Sequence, residues 1–224
     1  MENKIIILED FFDDPDSVRE CGLDILAKTY NNFSNDGRNF YPGCRSKSLE
    51  ICAPHINNEL RTKVEYHTGR KYSRFDAYFH LTTSLHGCGL VHRDGKNKST
   101  VGNNYRYSAG VVYLNKISPK DSGTKIVTEK PGFDNLPEEV KQKFYEIYSD
   151  KFYQASVAKN YNFLKEYLEE KKNIVNCQFE DSIVIQSQYN RLITYHADFL
   201  HTPGNYFGMN LYNSRLTIAF FTNL

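Results

Sequence analysis

The chain has 224 residues, 40% hydrophobic and 14% aromatic, with 28 basic and 27 acidic side chains and a formal net charge of +1. This is enough apolar material for one substantial core, and the charge balance gives no global field for nucleic acid or an anionic membrane. Five cysteines (Cys21, Cys44, Cys52, Cys88 and Cys177) are scattered with no CxxC pair, which argues against a zinc cluster or a thioredoxin-type motif and suggests reduced thiols in a cytosol.

Residues 4–8 (KIIIL) read as a short buried strand. The apolar run is too short for a signal peptide, acids follow it closely, and nothing approaches membrane-spanning length, so a soluble cytoplasmic protein is expected. A helix follows: Asp14 can cap it, Pro15 suits its first position, and Val18, Cys21 and Ile25 recur at helical spacing. Residues 31–48 are rich in Asn, Gly and Ser and read as a long loop of the kind that carries function. A second helix is expected over 54–68, although its periodicity is weak. Strands are expected at 74–85, 105–114 and 124–128. From about 129 to 175 the pattern changes: Val140, Phe144, Ile147 and Tyr148 share one helical face, and Phe163 with Tyr167 and Leu164 with Leu168 form i,i+4 pairs. This predicts a helical insertion, after which strand signals resume at 182–186, 191–196 and 215–222. The expected class is α+β: one domain over 1–224, a sheet sandwich or barrel with helices packed on one side.

The chemistry concentrates in LVHRDG, residues 90–95. In an extended chain His92 and Asp94 project to the same face, so imidazole and carboxylate can converge on one ion. With a second histidine they would form the two-His, one-carboxylate facial triad of non-haem Fe(II) oxygenases. An HxD alone is common by chance and reads equally as a polar surface turn. The second histidine must come from YHADFLH, residues 195–201, where His196 and His201 face opposite ways in a regular strand. His201 is preferred because it lies where the run ends, just before TPG; His196 remains the alternative.

Arg215 lies fourteen residues after His201, beyond a loop containing Gly204 and Gly208. Two antiparallel strands joined by that loop would bring it back near the metal, where a guanidinium can clamp a carboxylate through two parallel hydrogen bonds. Thr217 shares its face and can add a hydroxyl. A metal with a deeper carboxylate clamp suits a dicarboxylate that chelates the metal at one end.

The order HRD, YSAGVVYLN, SGTKI, YHADFLHTPG and SRLTIAFF, over roughly residues 74–222, resembles the prolyl-4-hydroxylase-like branch of the Fe(II)/2-oxoglutarate-dependent oxygenases. ILEDFFDDPDSVRE together with YPGCRS is similar to a bacterial and phage group within it. The resemblance implies a double-stranded β-helix (jelly-roll) core with buttressing helices, metal ligands His92, Asp94 and His201, and Arg215 at the far carboxylate of 2-oxoglutarate. It also implies that Tyr113 points at that carboxylate. The cofactors implied are Fe(II), 2-oxoglutarate as cosubstrate and O2, and the reaction a hydroxylation yielding succinate and CO2. Two departures stand out: many animal members use Lys where this chain has Arg215, and the 129–175 insertion is longer than in a minimal member.

Tyr41, Arg45, Tyr105 and Arg106 are expected at the cavity mouth, where they could bind substrate or form a solvated rim. A peptidyl proline, a free amino acid and a small metabolite all remain open as substrates. The competing readings are a cupin-like metalloenzyme without 2-oxoglutarate, which has no use for a clamp at Arg215, and a non-catalytic β-sandwich interaction protein. His86 and Cys88 read as a strand-to-loop entry, and His55, His67 and His80 as ordinary residues. Asp198 is a candidate supporting residue beside the site.

Overall fold

In the computed structural model, which describes residues 4–30, 43–84, 89, 91–95, 107–130 and 176–224, strands frame a short helical block. In chain order the elements are β1 (Ile6–Leu8), α1 (Pro15–Tyr30), β2 (Cys44–Arg45), α2 (Leu49–Cys52), α3 (Pro54–Thr68), β3 (Arg74–Thr82) and β4 (Ser108–Tyr113). They continue with β5 (Thr124–Glu129), β6 (Phe179–Ile185), β7 (Leu192–His196), β8 (His201–Pro203) and β9 (Arg215–Asn223). The described strand pairs are all antiparallel, in a six-stranded sheet of order β1-β7-β4-β9-β3-β2 and a three-stranded sheet of order β6-β5-β8.

Helix α1 starts as its sequence predicts. The Asp14 carboxylate accepts from the Ser17 backbone N–H at 3.1 Å and the Ser17 hydroxyl at 2.6 Å, and Pro15 occupies the first turn. Helix α3 matches the expected 54–68. Its weak periodicity has a simple cause: the buried face holds Ile56, Leu60 and Val64 at strict four-residue spacing, but also the polar Asn57 and Glu65. Gly69, in the left-handed conformation at φ 65°, ends it, as a helix C-terminus favours.

Glu65 joins α3 to the strand that follows. Burial pushes its carboxyl up, but Lys71, Arg61 and the Tyr72 backbone N–H outweigh that and hold it at about 2. Its folded pKa therefore lies below the unfolded value, so its contribution is fully present above the unfolded pKa and is lost as pH falls through about 2. Thermal melts of wild type and Glu65→Gln should diverge accordingly. Wild type should lose stability across this acid range that the variant, having no carboxyl to titrate, does not; parallel curves would remove Glu65 from the acid response.

The large sheet has two apolar faces, which fixes where the site can be. Phe75, Ala77, Phe79 and Leu81 of β3, Val112 of β4, and Leu216, Ile218 and Phe220 of β9 pack with α1, α2 and α3 residues in one core. The alternate residues, Ala109 and Tyr113 of β4, Ile193 and Tyr195 of β7 and Phe221 of β9, pack with Ile126 and Ile185 of the small sheet in a second. Helices thus buttress one face of the large sheet, and the small sheet covers the other.

Some expectations change. KIIIL is an edge strand rather than a buried one: β1 pairs only with β7, and Ile7 is 45% exposed. The apolar run SIVIQ belongs to β6, also an edge, and residues 180–184 face solvent. An apolar run signals a strand, but the partner that would bury it is chosen by tertiary pairing. Cys44 and Arg45, expected in a loop, form β2 against β3. Residue 129 still belongs to β5, and residues 131–175 of the expected insertion lie outside the described residues. Cys21, Cys44, Cys52 and Cys177 are free thiols. No described helix is long and apolar enough to cross a membrane.

Candidate metal centre and carboxylate clamp

The HRDG segment is not part of a named strand, yet it is pinned closely. The His92 N–H donates to the His201 carbonyl at 2.9 Å and the His201 N–H to the His92 carbonyl at 3.0 Å, an isolated antiparallel bridge to the first residue of β8. The N–H groups of Asp94 and Gly95 both donate to the Ala197 carbonyl at 2.9 Å. A Cβ at position 95 would lie 2.2 Å from the Asp198 carboxylate oxygen, so a larger residue there would have to displace the Asp198 side chain.

These backbone bonds bring three side chains together. His201 Nε2 lies 3.3 Å from one oxygen of Asp94, and His92 Nε2 lies 3.7 Å from the other. The imidazole centroids are 4.2 Å apart, and the ligand-capable atoms of all three residues lie within 4.8 Å of one another. His201 Nδ1 is 3.0 Å from the Phe199 carbonyl. A carbonyl only accepts, so Nδ1 donates to it and Nε2 is the ring nitrogen turned to Asp94. The side chains are 4% exposed at His201, 11% at Asp94 and 32% at His92, so the cluster opens toward solvent on its His92 side.

Arg215 opens β9 opposite Thr82, and Thr217 lies opposite both His80 and Tyr113. The guanidinium is buried, with its carbon 5.7 Å from the Tyr113 ring centroid and 5.8 Å from that of Tyr206; Nε donates to the Ser122 carbonyl at 3.3 Å. Among the described residues no carboxylate pairs with it. The Thr82 hydroxyl, in register with Arg215, is buried without a hydrogen-bond partner. Tyr113 shares a 2.7 Å hydrogen bond with the Thr124 hydroxyl, while Thr217 donates to the His80 carbonyl at 3.4 Å.

Tyr195 links the two groups. Its ring centroid is 4.7 Å from that of His201. Burial, then the Asp94 carboxylate and Tyr113, hold its phenol well above the ordinary range despite the opposing pull of Arg215. Burial likewise raises Tyr113 against Arg215 and Thr124. Both phenols stay protonated and can donate.

The sequence-predicted residues therefore sort clearly. His92, Asp94 and His201 form one cluster, and Arg215, Tyr113 and Thr217 share the inter-sheet face. His196 does not join them: it ends β7 on the opposite alternation from Tyr195, its ring edge-on to Tyr107 at 5.1 Å, and its Nδ1 accepts from the Asp198 N–H at 3.3 Å. Asp198, the candidate supporting residue, lies beside this segment, its backbone carbonyl accepting from Arg93 Nη1 at 2.6 Å. Arg45 is on β2, and Tyr41, Tyr105, Arg106, His86 and Cys88 fall outside the described residues. Sequence reasoning missed Thr82, Thr124, Tyr195 and Tyr206. Tyr195 adjoins a candidate histidine and Thr82 follows His80 by two places, but only strand pairing shows that they converge.

The fold is that of the prolyl-4-hydroxylase-like oxygenases. A prolyl-4-hydroxylase from Pseudomonas putida superposes with a TM-score of 0.51 at 11% identity, over 99% of this chain and 92% of that one. HygX from Streptomyces hygroscopicus, with nickel and 2-oxoglutarate bound, gives 0.54 at 10% identity, over 99% and 83%. AviO1 from Streptomyces viridochromogenes Tue57 gives 0.51 at 12% identity, over 99% and 90%. The chain belongs to DUF6445, a family of unknown function, whose model matches residues 1–222. No curated protein matches its sequence.

Proposed function

We propose that this protein is an Fe(II)- and 2-oxoglutarate-dependent dioxygenase that hydroxylates a small molecule or peptide, built as one domain on a double-stranded β-helix. The observation that carries the reading is the joint presence of two features: the convergent donors of His92, Asp94 and His201, and a buried Arg215 guanidinium with no carboxylate partner among the described residues.

The residues fit the groups this reading requires. Two imidazoles and a carboxylate are the donor set of non-haem iron sites, and the Phe199 carbonyl already orients His201 Nε2. A buried guanidinium is costly without an anion, and Arg215 has a carbonyl and two rings but no carboxylate partner among the described residues. The orphaned Thr82 hydroxyl beside it is a second donor that a bound carboxylate would satisfy. HygX, of similar fold, holds a metal and 2-oxoglutarate together.

Bound iron and 2-oxoglutarate would supply the oxidation of a C–H bond by O2, with succinate and CO2 as co-products. The chain's share is positioning. His92, Asp94 and His201 hold the metal from one side, leaving the rest of its surface for cosubstrate and oxygen. Arg215, with Thr82 and the protonated phenol of Tyr113, fixes the distal carboxylate by charge-assisted hydrogen bonds. Tyr195, Ile193, Phe221 and Ile126 pack in one apolar cluster between the sheets, which would limit water at the site. Arg215 also separates this reading from a cupin-like enzyme, which has no cosubstrate carboxylate to clamp.

Anaerobic addition of Fe(II) and 2-oxoglutarate should give a visible charge-transfer band that neither component gives alone. A band absent across the accessible pH range would overturn the proposal. Succinate release across a panel of amino acids, peptides and small metabolites then identifies the substrate.

A further inference from the structure

The run of backbone that leads into His92 is held from two sides. On one side it faces β8. The Gly89 N–H donates to the Pro203 carbonyl at 3.2 Å, and the His92 N–H and carbonyl both pair with His201. A Cβ on Gly89 would lie 2.5 Å from the Pro203 carbonyl oxygen, so a side chain there would force the two backbones apart. Backbone groups of successive residues in an extended run point to opposite sides. With His92 turned to β8, the Val91 N–H points away from it, and among the described residues no strand pairs with that second side. Gly89 and Val91 are both buried, so their polar groups need a partner within the protein.

The Asn176 side chain is that partner. Its Oδ1 accepts from the Val91 N–H at 3.2 Å, and its Nδ2 donates to the Gly89 carbonyl at 3.1 Å. A backbone N–H only donates and a carbonyl only accepts, so these two contacts fix which end of the amide is which. One side-chain amide stands in for one residue of a pairing strand. An Asp carboxylate could accept from Val91 but has nothing to donate to Gly89. The amide is presented from a fixed support, because the stretch after it is tied to the end of β5. The Lys130 N–H donates to the Gln178 carbonyl at 2.9 Å, and Lys130 Nζ donates to the Cys177 carbonyl at 2.7 Å. His92 is the most exposed of the three candidate ligands, at 32% against 11% for Asp94 and 4% for His201. Its ring has the least packing around it, so its direction depends most on how its backbone is held.

We propose that Asn176 is a positioning residue of the metal centre: by fixing the backbone at residues 89–91 it sets the direction in which His92 presents its imidazole. It acts through His92 and touches neither metal nor substrate. This rests on the reading of His92, Asp94 and His201 as a metal centre, and it is measurable without cosubstrate or turnover.

The test is a Co(II) titration of the full chain, followed through the visible ligand-field bands of the bound ion. Asn176→Ala should weaken Co(II) binding roughly 10- to 100-fold, the range for partners that orient metal ligands, and should alter the band pattern. Asn176→Asp, of nearly the same size and keeping the acceptor, should fall between Asn176→Ala and wild type; it carries the test if circular dichroism shows that Asn176→Ala does not fold. His92→Ala separates positioning from a general structural effect. In that background Asn176→Ala should change Co(II) affinity by less than about twofold, because the ligand it acts through is gone. Three results would each overturn the assignment: wild-type affinity and bands in both Asn176 variants, an equal fold-loss with and without His92, or a wild type that does not bind Co(II). Failure of the oxygenase reading shows separately, as a missing Fe(II)·2-oxoglutarate band in a wild type whose Co(II) binding still couples Asn176 to His92.

Discussion

His201→Ala should abolish the anaerobic Fe(II)·2-oxoglutarate band and lower succinate release at least about 100-fold, because even supporting partners of metal ligands are worth roughly 10- to 100-fold. His196→Ala should keep the band. The contrast follows from geometry: His201 Nε2 is 3.3 Å from Asp94, whereas His196 is turned toward Tyr107. His92→Ala and Asp94→Asn should match His201→Ala. Because His201 is buried against Tyr195, circular dichroism and a thermal melt must accompany the variant to separate lost metal from lost fold. A band that survives His201→Ala and disappears in His196→Ala would reassign the ligand.

Arg215→Gln should raise the 2-oxoglutarate concentration needed for half-maximal turnover by roughly 10- to 100-fold, the range of one lost charge-assisted contact, with partial recovery at high cosubstrate. Arg215→Lys should fall between, since an ammonium gives a point charge where the guanidinium gives a planar fork. A stability readout checks the same residue independently of turnover. Burying Arg215 without a carboxylate has a desolvation cost, so Arg215→Met should be no less stable than wild type in the absence of ligand. Iron with 2-oxoglutarate should raise the melting temperature of wild type more than that of Arg215→Met, because ligand stabilisation scales with affinity. An unchanged cosubstrate requirement in Arg215→Gln would remove the clamp.

Local rules in the sequence determined much of this protein. Asp14 and Pro15 specify the start of α1, alternation in RFDAYFHLT and RLTIAFFT specifies two-faced strands, and the two-residue spacing of His92 and Asp94 allows both to face one ion. Each depends on neighbours a few residues apart, where helix and strand periods fix direction. The tertiary structure decided what those periods leave open. It placed His201 rather than His196 beside Asp94 because a turn at 197–199 separates β7 in the large sheet from β8 in the small one, so the odd spacing no longer compares two positions on one strand. It left KIIIL and SIVIQ at sheet edges, and it brought Thr82, Tyr195 and Tyr206 toward the site. Pairing between distant strands is chosen by the burial of whole faces rather than by any one segment, so these positions were not legible residue by residue.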